Sequence, residues 1–217
     1  MTYDRLCRAA KAKGLIVMGA LDVAATGAKG LTGGSLILLG AGAGFWPAFT
    51  TSPEAQDGGR DLVDRWSARV IGGLAPDHDA TAYFPFGGPP YAPFIDWALK
   101  SGRAFSSPTG MLVHDEVGLM ISYRGALHIA APLALPAAVA PSPCARCADR
   151  PCLTACPVGA LKASAPYDVP RCHDFLDSPG GKSCMMQGCA VRRACPVSRG
   201  AGRQPAQSAL HMRSFHP

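Results

Sequence analysis

No stretch of the 217 residues is apolar over the 18 or so positions that a membrane-spanning helix needs. The two longest apolar runs, Ser35–Phe49 and Gly125–Pro141, are broken by Gly40, Gly42, Gly44 and Pro47, and by His128, Pro132 and Pro136. The opening MTYDRLCRAAKAKG carries charges but leads into no apolar region with a small-residue cleavage site, so no export signal is expected and the cytoplasm is the expected compartment. In that compartment paired cysteines are poor candidates for disulfides. A phosphate-binding loop is also missing. The GAGAG at 40–44 has neither the GxGxxG spacing nor a following Lys-Ser/Thr, so it reads as a tight turn.

Cysteine, by contrast, is abundant and concentrated. Eight of the nine cysteines lie between Cys144 and Cys195, in two groups of four that each end in Cys-Pro. The first group is Cys144, Cys147, Cys152 and Cys156-Pro157; the second is Cys172, Cys184, Cys189 and Cys195-Pro196. Short spacings let successive thiolates curl around one cube, and the proline turns the chain away. Four-cysteine runs with this ending point to a pair of [4Fe–4S] clusters in which the last cysteine of each run serves the other run's cluster. One cluster is then expected on Cys144, Cys147, Cys152 and Cys195, and the other on Cys156, Cys172, Cys184 and Cys189. Zinc is the rival metal, but zinc ribbons favour two separated CxxC pairs and this chain has one. His173 and His211 are reserve ligands that eight cysteines make unnecessary. Cys7 stands apart in the first predicted helix and reads as a small buried thiol.

Charge follows the cysteines. Residues 1–143 are balanced, with 11 Lys and Arg against 11 Asp and Glu, so the whole +6 excess falls in residues 144–217. Each four-thiolate cluster carries roughly −2. Lys182, Arg192, Arg193 and Arg199 therefore read as compensating cluster charge, and no nucleic-acid partner is required.

Along the chain, a helix stopped at Gly14 is followed by a short strand, and SLILLGAGAGFW reads as a buried strand running into glycines. Pro53–Leu74 starts polar and becomes a helix with Leu62, Trp66, Val70 and Ile71 on one face. An aromatic, turn-rich stretch around Gly87-Gly88-Pro89-Pro90 precedes a helix ending near Gly102. Ser107–His114 and Gly118–Tyr123, joined by Asp115-Glu116, are expected to pair as two strands. The Pro/Ala stretch 131–143 is the expected linker. The reading is thus an α/β or α+β domain over 1–130, a linker, and a cysteine domain over 144–217.

This arrangement resembles epoxyqueuosine reductase and, more distantly, the reductive dehalogenases. The likeness is carried by Cys144-x-x-Cys147, Cys152-x-x-x-Cys156-Pro157 followed by GAL, the lone Arg171-Cys172 and the closing Cys195-Pro196. Upstream it continues through KSG at 100–102, FSSPTGMLVHDEVG at 105–118 and RGAL at 124–127. The resemblance implies a nitroreductase-like, cobalamin-processing α/β domain that binds a corrinoid, followed by a bacterial two-[4Fe–4S] ferredoxin domain. Ser106, Ser107, Thr109, Gly110, Tyr123 and Arg124 would line the corrinoid; His114 is a candidate cobalt ligand, with packing or solvation the commoner role for a lone histidine at a strand end.

Two departures limit what carries over. The family's proton-donating Asp falls at Gly88 here, and the chain ends at Pro217 without the helical repeats that help such reductases hold tRNA. An electron carrier with two clusters and a corrinoid, working with a redox partner protein, is therefore expected rather than an enzyme. A plain two-cluster ferredoxin with a docking domain is the alternative. A reductase of a small organic substrate is the other, with Tyr91, Asp96 or Tyr123 supplying the proton.

Overall fold

The computed structural model describes residues 2–137, 141–163 and 165–217. Residues 138–140 of the expected linker lie outside them. In chain order the elements are α1 (Tyr3–Ala12), β1 (Leu15–Asp22), α2 (Val23–Thr26), β2 (Ser35–Ala41), α3 (Phe45–Thr50), α4 (Pro53–Gln56), α5 (Leu62–Asp77), β3 (Ala80–Tyr83) and α6 (Phe94–Lys100). There follow β4 (Ala104–Ser106), β5 (Leu112–His114), β6 (Tyr123–Ile129), α7 (Val169–Asp177), α8 (Lys182–Gln187), α9 (Ala190–Ala194) and α10 (Pro205–Phe215). Among the described residues no helix is long and apolar enough to cross a membrane.

The chain divides into two compact units, and not where composition alone would cut it. The first comprises the described residues of Met1–Ala104 and Ser122–Ala140; the second takes Phe105–Ile121 together with Pro141–Pro217.

In the first unit a four-stranded sheet runs in the order β1-β2-β6-β3, with every pairing antiparallel. Its centre is β2, whose SLILLGA is buried at every position, so both faces of the sheet are covered there. Leu36, Ile37, Leu38 and Leu39 have no solvent exposure, and Phe45, Trp66, Ile71, Trp97 and Leu127 complete the core around them. Phe45 meets Trp66 edge to face at 5.0 Å and stacks on Phe49 at 5.5 Å. The helix expected from Pro53 onward is two pieces, α4 and α5. They are tied by Arg69, which donates through Nε and Nη2 to the two carboxylate oxygens of Glu54. That bond holds the Glu54 carboxyl down to about 2, against an ordinary value of 4.5.

Both neighbours of the sheet centre are bulged. The β1–β2 register skips Met18, and the β2–β6 register shifts between Leu39 and Gly40. Met18 folds over the backbone of Gly40, where a Cβ would lie 1.9 Å from its sulfur and 2.9 Å from the Ser122 carbonyl oxygen. Backbone and sulfur thus occupy the space a side chain would need. Gly40→Ala is expected to lower stability by about 1–3 kcal/mol through overpacking, read as a lower denaturant midpoint with an unchanged slope. An unchanged midpoint would mean that Met18 is free to move aside.

In the second unit, β4 and β5 pair as a two-stranded sheet. The expected strand Gly118–Tyr123 does not form; only a single bridge, His114 to Gly118, continues the hairpin. The reason is that side chains satisfy this backbone instead. Leu119 N–H donates to Ser198 Oγ at 3.1 Å, Arg192 Nη1 donates to the Leu119 carbonyl at 2.6 Å, and Arg203 Nη2 donates to that of Met120 at 2.8 Å. Gly118, at φ +56°, presses so close to Ser198 that a Cβ would lie 2.5 Å from its backbone nitrogen. These bonds, with Val113 and Leu119 buried among the cysteines, transfer 105–121 to the second unit.

Candidate metal centre

The second unit is built from short turns and short helices, each delivering a thiol. Cys144 rides a 3-10 turn, Pro143–Arg146, which Ser142 caps by accepting from the Cys144 N–H. Cys152 sits in a second such turn, Pro151–Leu153. Cys172 lies in α7, whose first turn is capped by Asp168 accepting from Arg171 N–H, and Cys184 lies in α8. Cys189 and Cys195 occupy the two caps of α9, and Pro196 then starts a further 3-10 turn. Cys152, Cys184 and Cys195 are buried and the other five are half-buried; none is in a disulfide.

The thiols gather by a crossed rule. Burial pushes the Cys144 thiol above its ordinary value and Cys195 and Cys147 push it further, against a bond from Ser142. Cys152 is raised by burial and then by Cys144, Cys195 and Cys147. Cys172 is raised by burial, lowered by a hydrogen bond from Tyr167, and raised again by Cys189, Cys156 and Cys184. One set is therefore Cys144, Cys147, Cys152 and Cys195, and the other is Cys156, Cys172, Cys184 and Cys189. Each last cysteine has left its own run in the sequence for the other set.

The first set lines a cavity of about 430 Å³, together with Ser107, Val113, Leu119 and Val197. Cys152 and Cys195 belong to one apolar cluster with Val113, Leu119, Leu161 and Val191, against which Cys144, Cys156 and Cys189 also pack. Among the described residues, no group of three or more His, Cys, Asp or Glu side chains forms a site for a metal ion. Zinc draws four sulfurs to about 2.3 Å from one point, whereas a four-iron cube takes a thiolate at each corner and holds them farther apart. Soft thiolate donors in an apolar setting suit a cube and zinc alike.

The other expected residues fall in both units. Ser106, Ser107, Thr109, Gly110 and His114 belong to the second unit, while Tyr123 and Arg124 belong to the first. Ser107 and Thr109 hydrogen-bond to each other at 3.0 Å, and Gly110 serves the β4–β5 turn at φ +79°. His114 is fully buried, with Nδ1 accepting from the Glu116 N–H at 3.1 Å. Tyr123 opens β6 with its ring 6.3 Å from that of Phe94. Arg124 reaches Asp64 at 3.4 Å, and burial holds its guanidinium below the ordinary value.

Among the candidate proton donors, Tyr91 is 65% exposed. Burial raises the Asp96 carboxyl, but its bonds with Lys100 and the Lys29 N–H outweigh that and hold it low, as the anion. A side chain at position 88 would strike the Tyr91 ring at 2.7 Å, so the family's acid has no room there. Cys7 is half-buried rather than buried. His173 packs against the rings of His216, at 4.5 Å, and Phe215. Of the basic residues, Arg192 and Arg193 bond to backbone carbonyls, Leu119 and Gly188 respectively, whereas Lys182 and Arg199 are exposed.

Two side chains that the sequence reading did not place beside the thiols are Tyr167, whose hydroxyl is pushed up by burial and by Cys172, and Ser142, which accepts from the Cys144 N–H. A tyrosine five residues before the isolated cysteine was the available signal. No protein-family model matches the chain, and no curated protein matches it, so its function rests on the chemistry of these residues.

The crossed grouping can be read without any metal. Brief oxidation of the reduced, metal-free chain, followed by peptide mapping, is expected to join cysteines only within each set, Cys195 with Cys144, Cys147 or Cys152 included. A Cys152–Cys156 bridge as the main product would contradict the grouping.

Proposed function

We propose that the chain is a two-cluster electron carrier of the bacterial ferredoxin type. Cys144, Cys147, Cys152 and Cys195 would hold one [4Fe–4S] cluster, and Cys156, Cys172, Cys184 and Cys189 the other. The observation that carries the reading is the crossed exchange of Cys156 and Cys195 between the sets, an arrangement two-cluster ferredoxins share. When bound, such a cube exchanges one electron with neither a bond broken nor a proton moved.

The protein's own residues supply the rest of the chemistry. Cys144, Cys152 and Cys172, held above their ordinary range by burial, must release their protons to bind iron, so loading is coupled to deprotonation. Val113, Leu119, Leu161 and Val191 keep water from the sulfurs. The short α9 carries one thiol of each set at its two caps, so a single helix joins the sets. Electrons would come from a low-potential one-electron donor protein and leave to a partner with a one-electron acceptor. The first unit then serves as a docking body for such a partner.

Metal analysis of anaerobically purified protein tests the reading. Iron and labile sulfide are expected at about eight each per chain, with a signal from each cube on reduction. Cys144→Ala and Cys195→Ala should leave the same residual spectrum, with half the iron. Cys152→Ala and Cys156→Ala, though neighbours in sequence, should leave different ones. Zinc without labile sulfide would overturn the reading. Cobalt at about one per chain would add the corrinoid.

A further inference from the structure

The cavity lined by the first cysteine set opens through one short loop. Arg146, Asp149 and Arg150 line it and are exposed, whereas Cys144 and Cys147 are half-buried and Cys152 and Cys195 are buried. The backbone of that loop is fixed by the turns that carry the thiols. Arg146 ends the 3-10 turn that bears Cys144, and the Cys147 N–H closes it on the Cys144 carbonyl at 3.3 Å. Arg150, at φ +40°, caps the turn that bears Cys152, with its carbonyl accepting from the Leu153 N–H at 3.0 Å. Elsewhere in this unit Arg192 and Arg203 are tied to backbone carbonyls. Among the described residues, the guanidiniums of Arg146 and Arg150 donate to no protein group. The second set is covered on one side: α10 packs along α8, which carries Cys184, and a Cβ on Gly188 would lie 3.0 Å from that of Ser208.

We propose that the mouth formed by Arg146 and Arg150 is where an electron crosses between the first cysteine set and a one-electron partner protein whose contact face is acidic. The inference rests on the two-cluster reading and names the partner chemistry which that reading leaves open. A guanidinium presents paired donors that match a carboxylate, and arginine is favoured where proteins meet. Asp149 offsets one of the two charges, so the rim is positive by one. A cube's charge of roughly −2 would sit with the thiols. These are less exposed than the guanidiniums, so the partner's carboxylates meet the arginines first. The crossing moves one electron: the cube is oxidised and the partner's centre reduced, or the reverse, with no bond made or broken.

The test follows electron transfer, by stopped flow, from the loaded, reduced, full-length protein to two acceptors of opposite charge, an acidic rubredoxin and a basic cytochrome c. Native protein is compared at matched iron content with the double variant Arg146→Gln, Arg150→Gln. At low salt the variant is expected to reduce rubredoxin about tenfold more slowly, and cytochrome c no more slowly. Raising the salt to about 1 M, where charges are screened within about 3 Å, should bring the two rubredoxin rates together. An unchanged rubredoxin rate with iron intact overturns the inference, because the electron then crosses elsewhere. Equal slowing of both acceptors overturns it too, because the loop then sets the cavity's shape or potential and not the partner's charge. Should the double variant load poorly, Arg150→Gln alone reads the same selective slowing at smaller size. Native protein that binds no iron overturns the two-cluster reading itself, so the two failures are distinguishable.

Discussion

Cys189 and Cys195 cap opposite ends of a five-residue helix, and the second unit depends on that separation. Six residues of near-helical rise carry the two backbone positions roughly 9 Å apart. One must join the thiols upstream and the other those downstream. Cys152 and Cys156 are divided in the same way, across four residues that begin in a 3-10 turn. Two cavities' worth of thiols can therefore interlock without a sheet, because each short connection spans from one set to the other. A unit assembled in this way has few long elements of its own. Its apolar core is largely the surroundings of the sulfurs, with Val113, Leu119, Leu161 and Val191 packed among them.

That dependence explains why 105–121 joins the cysteines. The segment brings Val113 and Leu119 to the core, and its backbone is satisfied by Ser198, Arg192 and Arg203 rather than by a strand partner. Arg192 is doubly used: its guanidinium bonds to the Leu119 carbonyl while its charge lies near Cys189. The first unit is organised differently, around a strand buried on both faces and the close approach of Met18 to Gly40.

Much of this was legible in the residues. The stop at Gly14, the all-apolar run of β2 and the one-sided apolar face of α5 are local patterns, and they sit where spacing predicts. The Cys-Pro endings imply two cysteine sets, because a proline after the last thiol turns the chain away from its neighbours, and Cys144, Cys147, Cys152 and Cys195 line one cavity. The hairpin was less legible. SPTGMLVH followed by GLMISY has strand-like alternation whichever unit it joins, and only Ser198, Arg192 and Arg203, about 80 residues away, decide that the second leg is held by side chains. Nor could periodicity reveal that every strand pairing in the first unit is antiparallel, since crossovers are set by packing between distant segments. The bond from Arg192 to the Leu119 carbonyl was likewise invisible, because it joins segments 73 residues apart.

The most direct test of the crossed two-cluster account is a crystal structure of the anaerobic protein with anomalous scattering recorded at the iron edge. The account predicts two compact iron peaks, one bounded by Cys144, Cys147, Cys152 and Cys195 and the other by Cys156, Cys172, Cys184 and Cys189. A peak bounded by Cys144, Cys147, Cys152 and Cys156 together, or sites that scatter as zinc, would contradict it.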